Sequence, residues 1–230
     1  MKKGVIIACD FKNKLETFNF LEKFKGREIF IKIGMELFLN EGRDIVENIK
    51  KMGIKIFLDL KLHDIPNTIK KTMELISDLE VDMTTVHASG GRRMIFEAKN
   101  SLQRFKSHTK LLAVTVLTSV SQDVLENELL IKKPILEVVE NYAKTAKDSG
   151  ADGVICSAKE TLQVRRVCGE NFLTVTPGIR QKNCNFNDQL RVVTAEQAKK
   201  LGSNFIVVGR PITLSADPIK IYEEISNDFL

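Results

Sequence analysis

Short apolar runs rich in β-branched residues recur along the whole chain. They are Val5–Cys9, Ile29–Ile33, Ile54–Leu60, Met83–His87, Leu111–Leu117, Gly153–Cys156, Phe172–Val175 and Phe205–Val208, eight in all. They lack the polar alternation of a sheet with one wet face, so they predict strands of a buried parallel sheet. The stretches between them carry helical spacing. Ile45, Ile49 and Met52 share one face of Glu41–Met52, and Ile69, Met73 and Ile76 share one face of Pro66–Leu79. Val138, Val139, Tyr142 and Ala146 do the same within Ile135–Ser149. Gly53 and Gly150 follow two of these helices, where a left-handed cap favours glycine, and Pro66 suits a first helical turn.

Eight strands alternating with helices predict an α/β fold of the (β/α)8 TIM-barrel type. A doubly wound open sheet would instead favour GxGxxG after the first strand, and that motif is absent there. The 230 residues give about 29 per βα unit, enough for a minimal unit. No Pro/Ser-rich linker, low-complexity tract or composition break interrupts residues 1–230, so a single catalytic domain is expected.

A hydrophobic fraction of 43% with 28% charged residues excludes disordered and fibrous classes. No apolar run approaches the ~18 residues of a membrane helix. Val5–Cys9 ends at Asp10, too short for the core of a signal peptide, so a reducing cytoplasm is expected. The net charge is +5, but basic and acidic residues interleave along the chain. A nucleic-acid binder would concentrate them in a stripe, so neither nucleic acid nor membrane is expected as a partner. The surplus instead suits a small anionic substrate. Cys9, Cys156, Cys168 and Cys184 show no CxxC spacing and no nearby His, and Cys9 and Cys156 read as buried small hydrophobes.

In such a barrel the chemistry gathers at the C-terminal ends of the strands. Asp10 ends the first run, Lys32 lies near the end of the second, and the third runs into Asp59-Leu60-Lys61-Leu62-His63-Asp64. Asp59 and Lys61 are two apart, so on a regular strand their side chains share a side. Lys32 on the neighbouring strand can approach Asp59, which gives an alternating Lys–Asp–Lys array with Asp64 following in the loop. The array holds a charged lysine in place and suits a reaction in which negative charge develops beside an ammonium. Schiff-base chemistry would want a desolvated, neutral lysine. A salt-bridge layer closing the barrel mouth is the competing reading.

Gly209-Arg210 follows the eighth run, and Arg180 and Gln189 flank the loop after the seventh; loops at these places bind phosphate in many barrels. Each residue alone also fits an ordinary surface position. His63 sits among Leu62 and Ile65 and is expected to orient its loop, His87 can line the site, and His108 falls in a surface turn. No His/Asp/Glu cluster has metal-ligand spacing. Ser89-Gly90-Gly91 lacks a nucleophile-elbow pattern and reads as a turn.

The stretch Asp59-Leu60-Lys61-Leu62-His63-Asp64-Ile65-Pro66-Asn67-Thr68 resembles the DxKxxD signature of the orotidine 5'-phosphate decarboxylase family, including the Ile-Pro-Asn-Thr tail of its bacterial branch. Ala8-Cys9-Asp10, Ile31-Lys32-Ile33-Gly34, Thr85-Val86-His87-Ala88, Val116-Leu117-Thr118-Ser119, Thr176-Pro177-Gly178-Ile179-Arg180, Asp188-Gln189 and Val207-Val208-Gly209-Arg210-Pro211-Ile212 agree in order and place. The Asn-rich stretch Gln181–Asn187 matches no part of the pattern.

The resemblance implies decarboxylation of orotidine 5'-monophosphate to UMP and CO2, the last step of de novo pyrimidine synthesis, with no cofactor and no metal. It implies that the residue at Lys61 protonates C6 as CO2 leaves, while Lys32, Asp59 and Asp64 complete the catalytic set. Substrate contacts are implied at Asp10, Lys32, Asp59, Asp64, Ile65, Thr68 and Thr118, and at Pro177, Arg180, Gln189, Gly209 and Arg210. It further implies a homodimer in which Asp64 and Thr68 serve the partner's site. Two rivals stand beside it: a magnesium-dependent sugar-phosphate lyase or decarboxylase, and a barrel that binds a phosphate ligand without catalysis.

Overall fold

The computed structural model describes residues 3–180 and 191–230. Eight parallel strands close into a barrel in sequence order: β1 (Gly4–Ala8), β2 (Phe30–Gly34), β3 (Lys55–Leu62), β4 (Met83–His87), β5 (Lys110–Val114), β6 (Gly153–Ile155), β7 (Leu173–Thr176) and β8 (Phe205–Val208), with β8 pairing back onto β1. The expected TIM barrel is therefore the observed one. The outer helices are α1 (Lys14–Glu22), α2 (Met35–Glu41), α3 (Arg43–Lys51), α4 (Pro66–Leu79), α5 (Gly91–Arg104), α6 (Ile135–Asp148), α7 (Thr161–Cys168), α8 (Ala195–Lys200), α9 (Arg210–Thr213) and α10 (Pro218–Phe229).

Strand alternation sorts side chains into two apolar regions. Ile6, Ala8, Phe57, Met83, Leu112, Val114, Ile155, Val175 and Val207 fill the barrel interior, with Phe30, Leu173 and Phe205 packed against them. The larger core lies between barrel and helices and takes the opposite parity, as with Val5, Ile7, Ile31, Ile33 and Ile56. Gly153 is required by close packing: a Cβ there would sit 2.4 Å from the Leu173 carbonyl oxygen.

Helical faces follow the spacing in the sequence. Ile69, Met73 and Ile76 are buried on α4, and Val138, Val139 and Ala146 on α6. The stretch expected as one helix over Glu41–Met52 differs. Gly42, with φ 66°, divides it into α2 and α3, and Met52 caps α3 on its exposed side. Positive φ at Gly53 (75°) and Gly150 (89°) turns the chain out of the preceding helices.

The strand entries at the N-terminal rim share a device. Asp82, Asp152 and Asn204 stand just before β4, β6 and β8. Each side chain accepts a backbone N–H from the strand before: Ile56 (2.8 Å), Leu111 (2.8 Å) and Thr174 (2.9 Å). Asp152 also takes the Lys99 ammonium at 2.5 Å. Asp152→Ala should therefore leave the Leu111 N–H and Lys99 without their acceptor. A loss of about 1–3 kcal/mol is expected, read as a lower urea midpoint at unchanged m-value.

Candidate active site

The inward parity that fills the barrel also loads its mouth. Two residues beyond Phe30 and Phe57, the same register brings Lys32 and Asp59 to the C-terminal ends of β2 and β3, with Gly34 paired to Asp59. They line the interior cavity together with Ala8 and Phe57. Lys32 is 9% and Asp59 6% exposed. A carboxylate so buried costs several kcal/mol unless compensated. Compensation comes from three sides: the Lys61 ammonium at 2.7 Å, the Thr85 hydroxyl donating at 3.0 Å, and the Lys32 ammonium at 4.0 Å. Lys32 in turn meets Asp10 at 2.8 Å, so charge alternates from Asp10 through Lys32 and Asp59 to Lys61. Glycine at position 34 leaves room for that pair; a Cβ would lie 3.0 Å from Asp10 Oδ1 and 3.1 Å from Lys32 Nζ.

Lys61 reaches Asp59 by a different geometry from regular alternation. The β3–β4 register slips between Leu58 and Leu62: Leu58 pairs with Thr84 and Leu62 with Val86. Lys61 sits in this bulge with φ 49°, a left-handed conformation that costs a non-glycine residue about 1–2 kcal/mol. Its backbone N–H donates to the Thr85 hydroxyl at 2.9 Å, and that hydroxyl donates to Asp59. One buried threonine thus secures both the strained backbone and the carboxylate that its side chain contacts.

The cavity above this array has a volume of about 490 Å³ and extends to the exits of β5, β7 and β8. Thr118, Pro177, Arg180, Gly209 and Arg210 line it, as do Asp10, Lys32, Asp59 and Lys61. Asp64, Ile65 and Thr68 do not line it; they lie exposed where β3 runs into α4. Gln189 and Cys184 lie outside the described residues. Ser119 and Gly178 line the cavity without having been singled out in the sequence, and Thr85 was missed as well. The signal for Thr85 was present: Thr84-Thr85 places hydroxyls inside an otherwise apolar buried run, where each needs a partner.

The histidines and cysteines take separate places. His63 and His87 stack with ring centroids 5.5 Å apart, and His108 is exposed. Burial pushes the His87 imidazole below its usual range, and the neighbouring His63 and Lys61 push it the same way against the pull of Asp59. Cys9 and Cys156 are fully buried thiols raised above the ordinary range, as their apolar setting requires, and Cys168 is pushed up to about 11. Among the described residues no three His, Cys, Asp or Glu side chains group as metal ligands, and no helix is long and apolar enough to cross a membrane.

A (β/α)8 barrel with ammonium and carboxylate groups alternating across its C-terminal mouth, and two arginines at the far side of the same cavity, defines an enzyme for a small anionic substrate. The chain belongs to the orotidine 5'-phosphate decarboxylase / HUMPS family, whose model matches residues 3–225. It is 47% identical over 233 residues to the orotidine 5'-phosphate decarboxylase of Bacillus cytotoxicus, covering 100% of this chain and 98% of that one. The Bacillus cereus enzyme of the same name matches equally, at 47% over the same lengths. The crystal structure of orotidine 5'-phosphate decarboxylase from Lactobacillus acidophilus superposes with a TM-score of 0.88 at 45% identity, over 99% of each chain. An uncharacterized conserved protein from Geobacillus kaustophilus gives 0.87 at 41%, over 98% of this chain and 100% of that one.

The depressed His87 carries a pH signature. The unfolded chain takes up this proton near the ordinary value of 6.5, whereas the folded protein resists it to lower pH. Stability should therefore fall as pH drops below about 6.5, because the unfolded state binds more protons there. Urea midpoints measured across pH 5 to 7 should show this slope in the native protein and a shallower one in His87→Asn.

Proposed function

We propose that this protein decarboxylates orotidine 5'-monophosphate to UMP and CO2, with Lys61 as the proton donor. The supporting observation is the placement of the Lys61 ammonium, 2.7 Å from buried Asp59, in one cavity with Arg180 and Arg210. When the C6–carboxylate bond breaks, its electron pair stays on C6. A fixed ammonium stabilises that charge and delivers the proton that makes UMP, while CO2 departs. The lysine is restored by a proton from water. Asp59 orients Lys61 and stands beside Lys32, and Asp10 holds Lys32 from the other side. Arg180 and Arg210, with the backbone at Gly178 and Gly209, suit a phosphate remote from the reacting carbon. Binding energy gathered there is available for positioning at C6.

The magnesium-dependent rival needs free carboxylates. Both oxygens of Asp59 are already engaged, by Lys61 and Thr85, and an oxygen of Asp10 by Lys32. We also assign a two-fold dimer of single-domain chains to this protein, working in the cytoplasm. Asp64, Ile65 and Thr68 sit at the mouth yet outside their own cavity, and Ile65 is 67% exposed. An apolar residue left so open beside exposed Asp64 and Thr68 fits a patch that closes over a neighbour's pocket.

The direct test follows the absorbance change of orotidine 5'-monophosphate with purified protein after exhaustive EDTA treatment. Full turnover without added metal or cofactor is expected; activity lost on chelation and restored by magnesium would favour the lyase instead.

Lys61→Ala should fold and lose more than the 10²- to 10³-fold typical of a missing transition-state donor, since the proton source goes too. Mixing it with Asp64→Ala probes the shared site. A heterodimer has one pocket with both residues intact, so roughly a quarter of native activity should return after subunit exchange. No recovery after verified exchange would place Asp64 in its own barrel's site.

A further inference from the structure

We propose that Arg191, which lies outside the cavity, is a positioning residue for substrate binding: clamped by Glu160, its guanidinium fixes the exit of β5 relative to Arg180. The inference rests on the functional reading above only in the choice of substrate. Arg191 Nη2 donates to two successive carbonyls, Val116 (3.0 Å) and Leu117 (2.8 Å), in the stretch that continues through Thr118 and Ser119 along the cavity wall. Its Nη1 pairs with Glu160, with the two side chains 15% and 6% exposed. The other Glu160 oxygen accepts the Ser157 N–H at 2.9 Å, closing a capping box directly beyond β6. Two residues on, Val193 donates to the Gly178 carbonyl at 3.1 Å and accepts the Arg180 N–H at 2.9 Å. The guanidinium therefore joins the exits of β5 and β6, and the backbone two residues on joins that of β7, while Arg191 itself does not line the cavity.

A buried ion pair is a poor source of stability, because desolvation offsets much of its attraction. The planar fork on two carbonyls supplies geometry instead, which a lysine cannot reproduce. Burial raises the Glu160 carboxyl above its usual range, with the Arg191 guanidinium and the Ser157 N–H pulling the other way.

The experiment compares the native protein with Arg191→Lys, which keeps the charge pair but loses the fork, and with Glu160→Gln, which keeps the shape but loses the charge. Turnover and UMP affinity by calorimetry are measured for each, alongside Tm. For Arg191→Lys we expect KM and the UMP Kd to rise together by about tenfold or more with kcat within about threefold, as a displaced wall predicts. Glu160→Gln should shift both in the same direction by a smaller factor. Adding Thr118→Ala to Arg191→Lys should weaken binding by less than the product of the two single effects, because the displaced wall already carries Thr118. Variants that are folded but change only Tm, or double variants that are multiplicative, would overturn the positioning role. Native protein that binds UMP but does not turn over substrate would defeat the decarboxylase reading instead, and the UMP titrations of the variants would still decide the role of Arg191.

Discussion

Burying the Asp59 carboxylate at the end of β3 sets the terms for everything around it. It has to be met by positive charge and a hydroxyl, and each of those groups needs its own support. Lys61 comes within 2.7 Å where β3 departs from its register with β4 and holds a left-handed residue. Thr85 is committed to both. Lys32 lies between Asp59 and Asp10, and Gly34 keeps space open for that contact. Removing the carboxylate would leave two ammonium groups in one partly dry pocket with nothing between them, so the array stands or falls as a unit.

The two ends of the barrel divide the work. The interior is apolar up to the layer of Phe30 and Phe57, and the residues two further on are ionised. At the N-terminal rim, Asp82, Asp152 and Asn204 are occupied with backbone groups of neighbouring strands. At the C-terminal rim, Asp10, Lys32, Asp59 and Lys61 line the open cavity. Backbone strain at Lys61 belongs to the second group, where it is maintained by tertiary contacts rather than by local preference.

Much of this was legible in the sequence because strands buried on both sides leave an unbroken apolar signature. All eight runs became strands, and Lys32, Asp59 and Lys61 came together at one mouth. The reason for the last contact was not legible. A spacing of two on a regular strand predicts the neighbours, but the structure joins them through a bulge at Lys61 that is held by Thr85, 24 residues away. Met35–Glu41 escaped notice because Met35 and Leu39 are exposed, which blurs the amphipathic pattern. Ser157-x-x-Glu160 was readable as a capping box. Its second purpose was not, since the Arg191 that it holds lies 31 residues on in an unremarkable Leu-Arg-Val stretch.

The rim residues Asp82, Asp152 and Asn204 fasten β3 to β4, β5 to β6 and β7 to β8, across 26, 41 and 30 residues of chain. Three adjacent strand couples are thus tied at their entries by links local to each couple. A chain recut between couples, with its natural ends joined, would keep every one of these ties local. A recut inside a couple would turn its tie into a contact between opposite ends of the polypeptide, adding loop-closure entropy before the strands could dock. Judged by where its sequence can be reopened, the barrel from β3 to β8 is built in units of two strands.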